Sequence, residues 1–155
     1  IEISNPGHDY NYKKFSKKQT QSLKKLSQFL IKKYKINQKN ILGHSDIAPI
    51  RKKDPGEKFP WKYFAKSGIG VWHSLSKQIL YKNRRKKISL IDKKNFFKNL
   101  SKIGYPIKSP TKLKKDQFLN LITFAFQRRF RQEQINGKID HECLIISQNL
   151  VKKFN

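Results

Sequence analysis

Two side chains that can bind a metal, His44 and Asp54, lie ten residues apart in the sequence. Imidazole nitrogen and carboxylate oxygen are both ligands of Zn²⁺, and a catalytic zinc site keeps three protein ligands plus a water. Lys52 lies two residues before Asp54, so in an extended segment its ammonium would project to the same side and could stabilise a developing oxyanion. Glu2 is the candidate general base that would take a proton from a zinc-bound water.

Simpler interpretations of the same residues stay open on spacing alone. A histidine at the end of a strand is more often structural, and a sequence such as Asp54-Pro55-Gly56 is more often only a turn. A glutamate in a strand, such as Glu2, is usually a surface residue. The sequence also lacks a compact ligand pair of the H-E-x-x-H type. Residue types and spacing therefore do not decide between a metal site and ordinary structure.

The elements predicted to position these residues are two strands, a helix and a long loop. Residues 1–3 alternate as a short strand, and residues 41–44 form an apolar run that predicts a buried strand ending at His44. Between them, Ser16 and Gln19 have the spacing of a capping box and predict the start of an amphipathic helix. The following loop, which contains Asp54, is rich in turn-forming residues.

The second half of the chain is predicted to be helical. Residues 73–88 end in a basic run and are interpreted as a linker. Asp92 and Asp140 are each predicted to cap a helix, and a longer helix is predicted to open at residues 109–111. Aromatic residues at helical spacing are assigned to one small core. Three residues lie off that aromatic stripe and face either a ligand or solvent: Gln127, Arg128 and Arg131.

The charge of the chain is strongly positive, because 36 Lys and Arg stand against 10 Asp and Glu and give a formal net charge of +26. Such an excess favours polyanionic partners: nucleic acid, acidic membrane or an anionic cell wall. Codon drift in an AT-rich genome explains the lysines equally well. The lone Cys143 excludes an internal disulfide and is assigned to the core. His73 and His141, with no pattern around them, are interpreted as surface residues.

Several stretches resemble the amidase-2 family of N-acetylmuramoyl-L-alanine amidases. Residues 43–56 and the Phe-Pro-Trp at residues 59–61 closely resemble its C-terminal zinc-binding segment. Residues 1–8 resemble its central strand and the loop that follows, and residues 68–72 are similar to the end of its catalytic domain. In the second half, residues 126–140 resemble part of a three-helix peptidoglycan-binding domain.

The resemblance implies an α/β fold, with a partial mixed sheet and flanking helices followed by a small all-α three-helix domain. Residues 1–72 would be the C-terminal part of the catalytic domain, since the chain opens inside a predicted strand without a starting Met. Residues 73–88 would be a basic linker, and residues 89–155 a peptidoglycan-binding-like domain. An N-terminal truncation, which would hide any signal sequence or lipid anchor, is therefore expected.

The same resemblance implies a role for each candidate residue. His44 and Asp54 match two zinc ligands, Lys52 matches the cationic residue beside the metal, and Glu2 matches the acidic residue that acts as base. The family's third ligand is a histidine on an earlier strand that would be absent from this chain. Whether residues 1–155 alone bind zinc or are active is thus left open. The substrate-binding positions that the resemblance implies are Asn5, His8 and Arg51.

The implied activity is zinc-dependent hydrolysis of the amide bond between N-acetylmuramic acid and L-alanine in peptidoglycan. The implied partners are murein or anhydro-muropeptides, and a monomer in the periplasm or cell envelope is expected, with an outer-membrane lipoprotein as one form of anchoring. A non-catalytic peptidoglycan-binding protein is the alternative. A nucleic-acid-binding protein is disfavoured, because the basic residues do not gather into a known reader motif.

Overall fold

The computed structural model describes residues 1–110 and 112–154, and its regular structure is helical. None of the helices in this part of the chain is long and apolar enough to cross a membrane. A 3₁₀ turn at Gln38–Asn40 follows the first helix. The α-helices are α1 (Lys17–Tyr34), α2 (His44–Ile47), α3 (Trp61–Ala65), α4 (Lys77–Asn83), α5 (Leu90–Lys102), α6 (Lys115–Phe130) and α7 (His141–Phe154).

Helix α1 begins where the sequence predicts. The Ser16 hydroxyl accepts a hydrogen bond from the Gln19 N–H at 3.2 Å, and the Gln19 side chain accepts one from the Ser16 N–H at 2.9 Å. This geometry confirms the capping box. One face of the helix packs through Ile31 against a small aromatic core, whereas Phe29 on another face is exposed. Helix α1 is therefore covered on one side only.

The predicted mixed sheet is wrong, because no strand or sheet occurs within the described residues. Residues 1–3 have no regular secondary structure, and residues 41–44 lead into a helical turn. The Ile41 carbonyl accepts a hydrogen bond from Arg129 at 2.9 Å, and the Gly43 N–H donates to Asp46 at 2.8 Å. Side chains therefore form hydrogen bonds with the backbone groups that a β-strand would need to pair with a neighbouring strand.

The larger core lies between α5, α6 and α7, which confirms the helical prediction for the second half. Its fully buried side chains include Phe96 and Leu100 from α5, Phe126 from α6 and Leu150 from α7. The rings of Phe96 and Phe126 meet edge to face with centroids 5.1 Å apart. Cys143 is also fully buried in this core, as predicted.

The helix starts in this half differ from the prediction in two places. Helix α5 is capped by Ser89, whose hydroxyl accepts from the Asp92 N–H at 3.1 Å, so Asp92 occupies the third helical position instead of the cap. Asp140 does cap α7, since its carboxylate accepts from the Cys143 N–H at 3.0 Å. Helix α6 begins later than predicted, at Lys115. Thr111 lies outside the described residues.

The segment predicted as a basic linker contains helix α4 and a buried contact. Ser76 caps α4 by accepting a 3.3 Å hydrogen bond from the Ile79 N–H. Arg84 donates two 2.8 Å hydrogen bonds to the carboxylate of Glu142, a fully buried residue of α7. One arginine of the basic run is therefore an internal counter-ion, while the boundaries of the linker stay a prediction.

Two residues that the sequence sets outside the core, Gln127 and Arg131, are buried. The Gln127 amide oxygen accepts from the N–H groups of Asn136 and Gly137, each at 2.9 Å. Arg131 donates to the Asp140 carboxylate at 2.5 Å. Polar side chains can be enclosed when they find such partners, and an aromatic stripe alone does not reveal these partners.

A smaller core of aromatic residues lies under α1 and α3. Its buried members are Phe59, Trp61, Phe64 and Ile69. The rings of Phe59 and Phe64 are stacked with centroids 5.0 Å apart. Trp72 packs against both this core and the larger one. Apolar contact is therefore continuous from the first half of the chain to the second.

Candidate active site

His44 is the first residue of the short helix α2. Gly43 precedes the helix, and its N–H donates a 2.8 Å hydrogen bond to the Asp46 carboxylate. The Ala48 N–H donates to the His44 carbonyl at 2.8 Å and completes the turn. These bonds fix the backbone of His44 and leave 61% of its side chain exposed.

The loop after α2 returns Asp54 to His44. The Ser45 N–H donates to the Asp54 carbonyl at 2.9 Å, and His44 Nδ1 lies 2.5 Å from Asp54 Oδ2. The close return depends on Gly43, because a Cβ at that position would lie 2.5 Å from Cδ of Pro55. The structure therefore brings together the two residues that the sequence predicts as zinc ligands.

The donor chemistry of the His44–Asp54 pair fits zinc, since an imidazole nitrogen and a carboxylate oxygen converge. Both side chains are more than half exposed, so a hydrated ion can reach them. Within residues 1–110 and 112–154, no group of three or more His, Cys, Asp and Glu side chains is arranged to hold a metal. The pair supplies two donors, and further coordination positions would need other groups.

The other predicted catalytic residues do not join the pair directly. Glu2 and Arg51 are exposed, and Lys52 is half-buried. Among the described residues, none of these three side chains forms a hydrogen bond or ion pair with His44 or Asp54. Their roles as base, substrate ligand and oxyanion stabiliser stay predictions.

His8, predicted to bind substrate, belongs to a separate contact. Its Nε2 lies 3.0 Å from Glu57 Oε2, and its ring centroid lies 4.4 Å from that of Tyr12. Burial acts to raise the pKa of the Glu57 carboxyl, but the hydrogen bond and charge of His8 lower it below its usual value overall. The sequence does not predict Glu57 or Tyr12, because neither stands in a recognisable spacing with His8.

Asn5 and Tyr12 hold the predicted substrate-binding loop in place. The Asn5 side chain donates to the Lys13 carbonyl at 3.1 Å. The Tyr12 hydroxyl donates to the Pro55 carbonyl at 2.6 Å and accepts from the Lys58 N–H at 2.9 Å. Burial raises the pKa of Tyr12 to about 12, so this hydroxyl stays a donor at neutral pH. The loop is thereby tied to the residue that follows Asp54.

Behind α2 lies a buried group of three side chains, Asp46, Tyr105 and Arg129, which we call the Asp46 cluster. The Tyr105 hydroxyl donates to Asp46 Oδ1 at 2.6 Å, and the Arg129 guanidinium pairs with Asp46 Oδ2. Arg129 also donates to the Ile41 carbonyl at 2.9 Å and lies 4.1 Å from the ring centroid of Trp61. The cluster connects α6 to the turn that carries His44.

The Asp46 cluster is only partly visible in the sequence. Asp46 is interpretable as a carboxylate that braces the loop, and its bond from Gly43 agrees with this. Nothing in the sequence indicates its partners, since Tyr105 and Arg129 lie 59 and 83 residues away. Burial and the neighbouring Asp46 charge raise the pKa of Tyr105 well above its usual value, so it remains a donor.

A family model for N-acetylmuramoyl-L-alanine amidase, Amidase_2, matches residues 1–57, which contain both His44 and Asp54. The N-acetylmuramoyl-L-alanine amidase AmiD of Escherichia coli (strain K12) is 33% identical over 159 residues, covering 99% of this chain and 56% of AmiD. The chain belongs to the N-acetylmuramoyl-L-alanine amidase family.

A second relative of this amidase-family chain matches a shorter stretch of it. The 1,6-anhydro-N-acetylmuramyl-L-alanine amidase AmpD of Haemophilus influenzae is 41% identical over 58 residues, which cover 37% of this chain and 32% of AmpD. The chain spans about half of the length of AmiD, the relative that it matches over most of its own length.

Two solved structures share the fold of this amidase-family chain. E. coli AmiD in complex with the substrate anhydro-N-acetylmuramic acid-L-Ala-D-gamma-Glu-L-Lys superposes with a TM-score of 0.77 at 32% identity, over 93% of this chain and 55% of AmiD. AmpDh3 from Pseudomonas aeruginosa gives a TM-score of 0.75 at 29% identity, over 95% and 57% of the two chains. The likeness therefore includes the helical second half as well as the segment with His44 and Asp54.

Proposed function

We propose that the protein hydrolyses the amide bond between N-acetylmuramic acid and L-alanine in peptidoglycan. The observation that carries this proposal is the His44–Asp54 pair, whose Nδ1 and Oδ2 atoms converge within the segment that the amidase family model matches. The amidase names of AmiD and AmpD support the same reaction. Peptidoglycan lies in the cell envelope, which we propose as the compartment.

The proposed substrates are anhydro-muramyl peptides and murein strands that carry the same linkage. The solved relatives support this class, because AmiD holds an anhydro-muramyl tripeptide and AmpDh3 holds an anhydromuramic pentapeptide. Stem peptides end in carboxylates, and a net charge of +26 favours such anionic ligands.

We propose Zn²⁺ as the cofactor, which the side chains of His44 and Asp54 would help to hold. A bound zinc ion would polarise a carbonyl and lower the pKa of a water. The proposal is supported because an imidazole and a carboxylate lie side by side and both side chains are open to solvent. The bond from the Ser45 N–H to the Asp54 carbonyl keeps the two residues together.

The remaining steps use side chains of this chain alone. The Glu2 carboxylate would accept the proton of the attacking water and return it to the departing L-alanine nitrogen. The Lys52 ammonium would stabilise the negative charge that develops on the carbonyl oxygen. The Asp46 cluster would hold α2, and with it His44, in one orientation.

Asp54→Asn tests the proposal, because an amide is a poor substitute for a carboxylate ligand. We expect the rate of stem-peptide release from anhydro-muramyl tripeptide to fall about 1000-fold, equivalent to about 4 kcal/mol of transition-state stabilisation. Zinc content, measured by elemental analysis of the same samples, should fall with it. Asp116→Asn is the matched control, since Asp116 is an exposed aspartate at the start of α6. Equal rates of stem-peptide release for the two variants would contradict the proposed role of Asp54.

The same samples separate the proposal from its alternative. Wild-type protein that sediments with peptidoglycan, but contains no zinc and releases no stem peptide, would be a non-catalytic peptidoglycan-binding protein. In that case the roles given to Glu2 and Lys52 would also be wrong.

A further inference from the structure

A basic groove lies apart from the His44–Asp54 pair. It runs between the end of α1, helix α3, the segment after α3 and the end of α7, with a volume of about 970 Å³. None of the described residues that line it belongs to residues 40–61. We call it the lysine groove, after four of the lysines that line it and that form no hydrogen bond or ion pair within residues 1–110 and 112–154: Lys32, Lys62, Lys66 and Lys153.

The lysine groove gathers positive charge from separate parts of the fold. Lys32 comes from α1, Lys62 from α3 and Lys153 from α7, and all three are exposed. No aspartate or glutamate is found among the described residues that line the groove. Lys39 also lines it, but its ammonium donates to the Phe154 carbonyl. The groove thus holds cations without internal counter-ions, which favours an anionic ligand.

Two aromatic side chains on the groove wall carry polar atoms without partners. His73 is only 6% exposed, and within the described residues its ring nitrogens and the indole N–H of Trp72 form no hydrogen bond of ordinary geometry, although the backbone of Phe130 lies close enough to the His73 ring to act on its pKa. Such unpaired buried groups are few in proteins, and a ligand is one explanation for them. The burial of His73 also corrects its assignment to the surface.

His73 is a neutral hydrogen-bonding group under ordinary conditions. Burial lowers the pKa of His73 to about 4; the backbone of Phe130 acts in the opposite direction, and the charges of Lys62 and Lys153 add smaller lowering effects. The neutral ring has one donor and one acceptor nitrogen. Lys62 of α3 and Lys153 of α7 line the same groove as His73.

The uncharged part of the lining indicates the kind of anion. The side chains of Gln28, Gln38 and Trp72 all line the groove. Amides match the hydroxyl and N-acetyl groups of sugars, and an aromatic ring packs against the apolar face of a sugar. Lysines contribute charge without the planar fork that arginine offers to a single carboxylate. A sugar that carries several spaced carboxylates fits this combination.

We propose that the lysine groove is a second binding site for peptidoglycan, which takes a stretch of glycan and its stem-peptide carboxylates away from the bond that is cut. This inference rests on the proposed function, because it assigns the groove to the same polymer. Its role would be to hold the protein on an insoluble polymer while another part of that polymer reaches His44 and Asp54. A small soluble substrate would not need it.

The test compares two triple variants with identical changes in charge. Lys62→Glu/Lys66→Glu/Lys153→Glu alters the groove, whereas Lys93→Glu/Lys94→Glu/Lys98→Glu alters exposed lysines of α5 that do not line it. Co-sedimentation with purified peptidoglycan is measured with EDTA present to stop hydrolysis. We expect the groove variant to bind at least about tenfold more weakly, and the α5 variant to bind like wild type. A Lys→Gln version of the groove variant replaces it if the charge reversal prevents folding.

The inference would be overturned if both variants bound peptidoglycan equally weakly, since that indicates only general electrostatic attraction, or if neither variant bound it more weakly than wild type. It would also be overturned if the groove variant bound vesicles of phosphatidylglycerol and phosphatidylcholine more weakly but bound peptidoglycan like wild type. Turnover of soluble anhydro-muramyl tripeptide by the metal-loaded protein separates this inference from the proposed function. We expect the groove variant to keep wild-type turnover. If the wild-type protein does not hydrolyse the tripeptide, but the groove variant still binds peptidoglycan more weakly than wild type, only the proposed function is overturned.

Discussion

Two ion pairs of the turn at α2, His44–Asp54 and Asp46–Arg129, differ in their exposure to solvent. The side chains of His44 and Asp54 are 61% and 54% exposed, whereas those of Arg129 and Asp46 are 3% and 5% exposed. An exposed pair contributes about 0–1 kcal/mol to stability. Removing one partner of a buried pair costs about 3–5 kcal/mol, because the other charge is left without compensation. Helix α2 therefore carries an accessible histidine on one side and its structural support on the other.

Arg129→Ala should have the largest effect on stability and tests the buried side of the comparison. It leaves Asp46 buried without its cation and removes the donor to the Ile41 carbonyl. We expect the free energy of unfolding, measured by urea titration, to fall by about 3–5 kcal/mol. Arg128→Ala, one residue earlier in α6 and half-buried, is the control and should cost less. A loss below about 1 kcal/mol for Arg129→Ala would mean that the buried pair is not the support of α2.

The next largest effect is expected from the pH dependence of His73, which is buried without a counter-ion. Its pKa is about 4 in the folded protein against 6.5 for the free side chain, so the unfolded chain binds more protons between these values. Stability is therefore fully present above about pH 6.5 and falls as the pH drops towards 4, by about 3 kcal/mol. His73→Gln should remove this part of the pH dependence, whereas His141→Gln should retain it. Identical profiles for His73→Gln and wild type would refute the assignment.

Tyr105→Phe should have a moderate effect that sharpens the comparison within the Asp46 cluster. The substitution removes only the 2.6 Å hydrogen bond to Asp46 and keeps the ring in the core. We expect the free energy of unfolding to fall by about 1–2 kcal/mol, measured by thermal and urea unfolding. A double-mutant cycle with Arg129→Ala should show that the two losses are not additive, because both residues bind the same carboxylate. Additive losses would mean that Tyr105 and Arg129 act independently.

His44→Ala should have the smallest effect on stability and tests the exposed side. The ring of His44 is mostly in solvent, so we expect the free energy of unfolding without zinc to change by less than about 1 kcal/mol. Activity and zinc content should nevertheless be lost in that variant. A stability loss as large as that of Arg129→Ala would show that the exposed pair is structural, and would remove the contrast between the two pairs.

Local pattern predicted the parts of the fold that depend on neighbours in sequence. The capping box of Ser16 and Gln19 and the helical second half are confirmed, because helix starts and amphipathic spacing are local properties. The mixed sheet is wrong, because an apolar run such as residues 41–44 does not reveal the hydrogen-bond partner of its backbone. That partner is Arg129, which comes from a distant helix. The predicted burial is also wrong, since none of these four residues is buried.

The candidate site likewise contains a local contact that the sequence predicts and long-range contacts that it does not. The proximity of His44 and Asp54 agrees with the sequence prediction, since one short loop with Gly43 and Pro55 closes between them. The contacts of His8 with Glu57 and of Asp46 with Tyr105 and Arg129 join residues 49 to 83 positions apart. No spacing rule reaches over such separations, so these partners become visible only in the folded chain.

The position of Arg129 also limits how this architecture can be recombined. If the second half folded independently, it could be exchanged for another domain without destabilising the first half. The arginine that compensates Asp46, however, is encoded with α6, far from the segment that carries His44. A chimera that exchanged the helical half for an unrelated module would inherit a buried carboxylate without its cation, so the two halves must be inherited together.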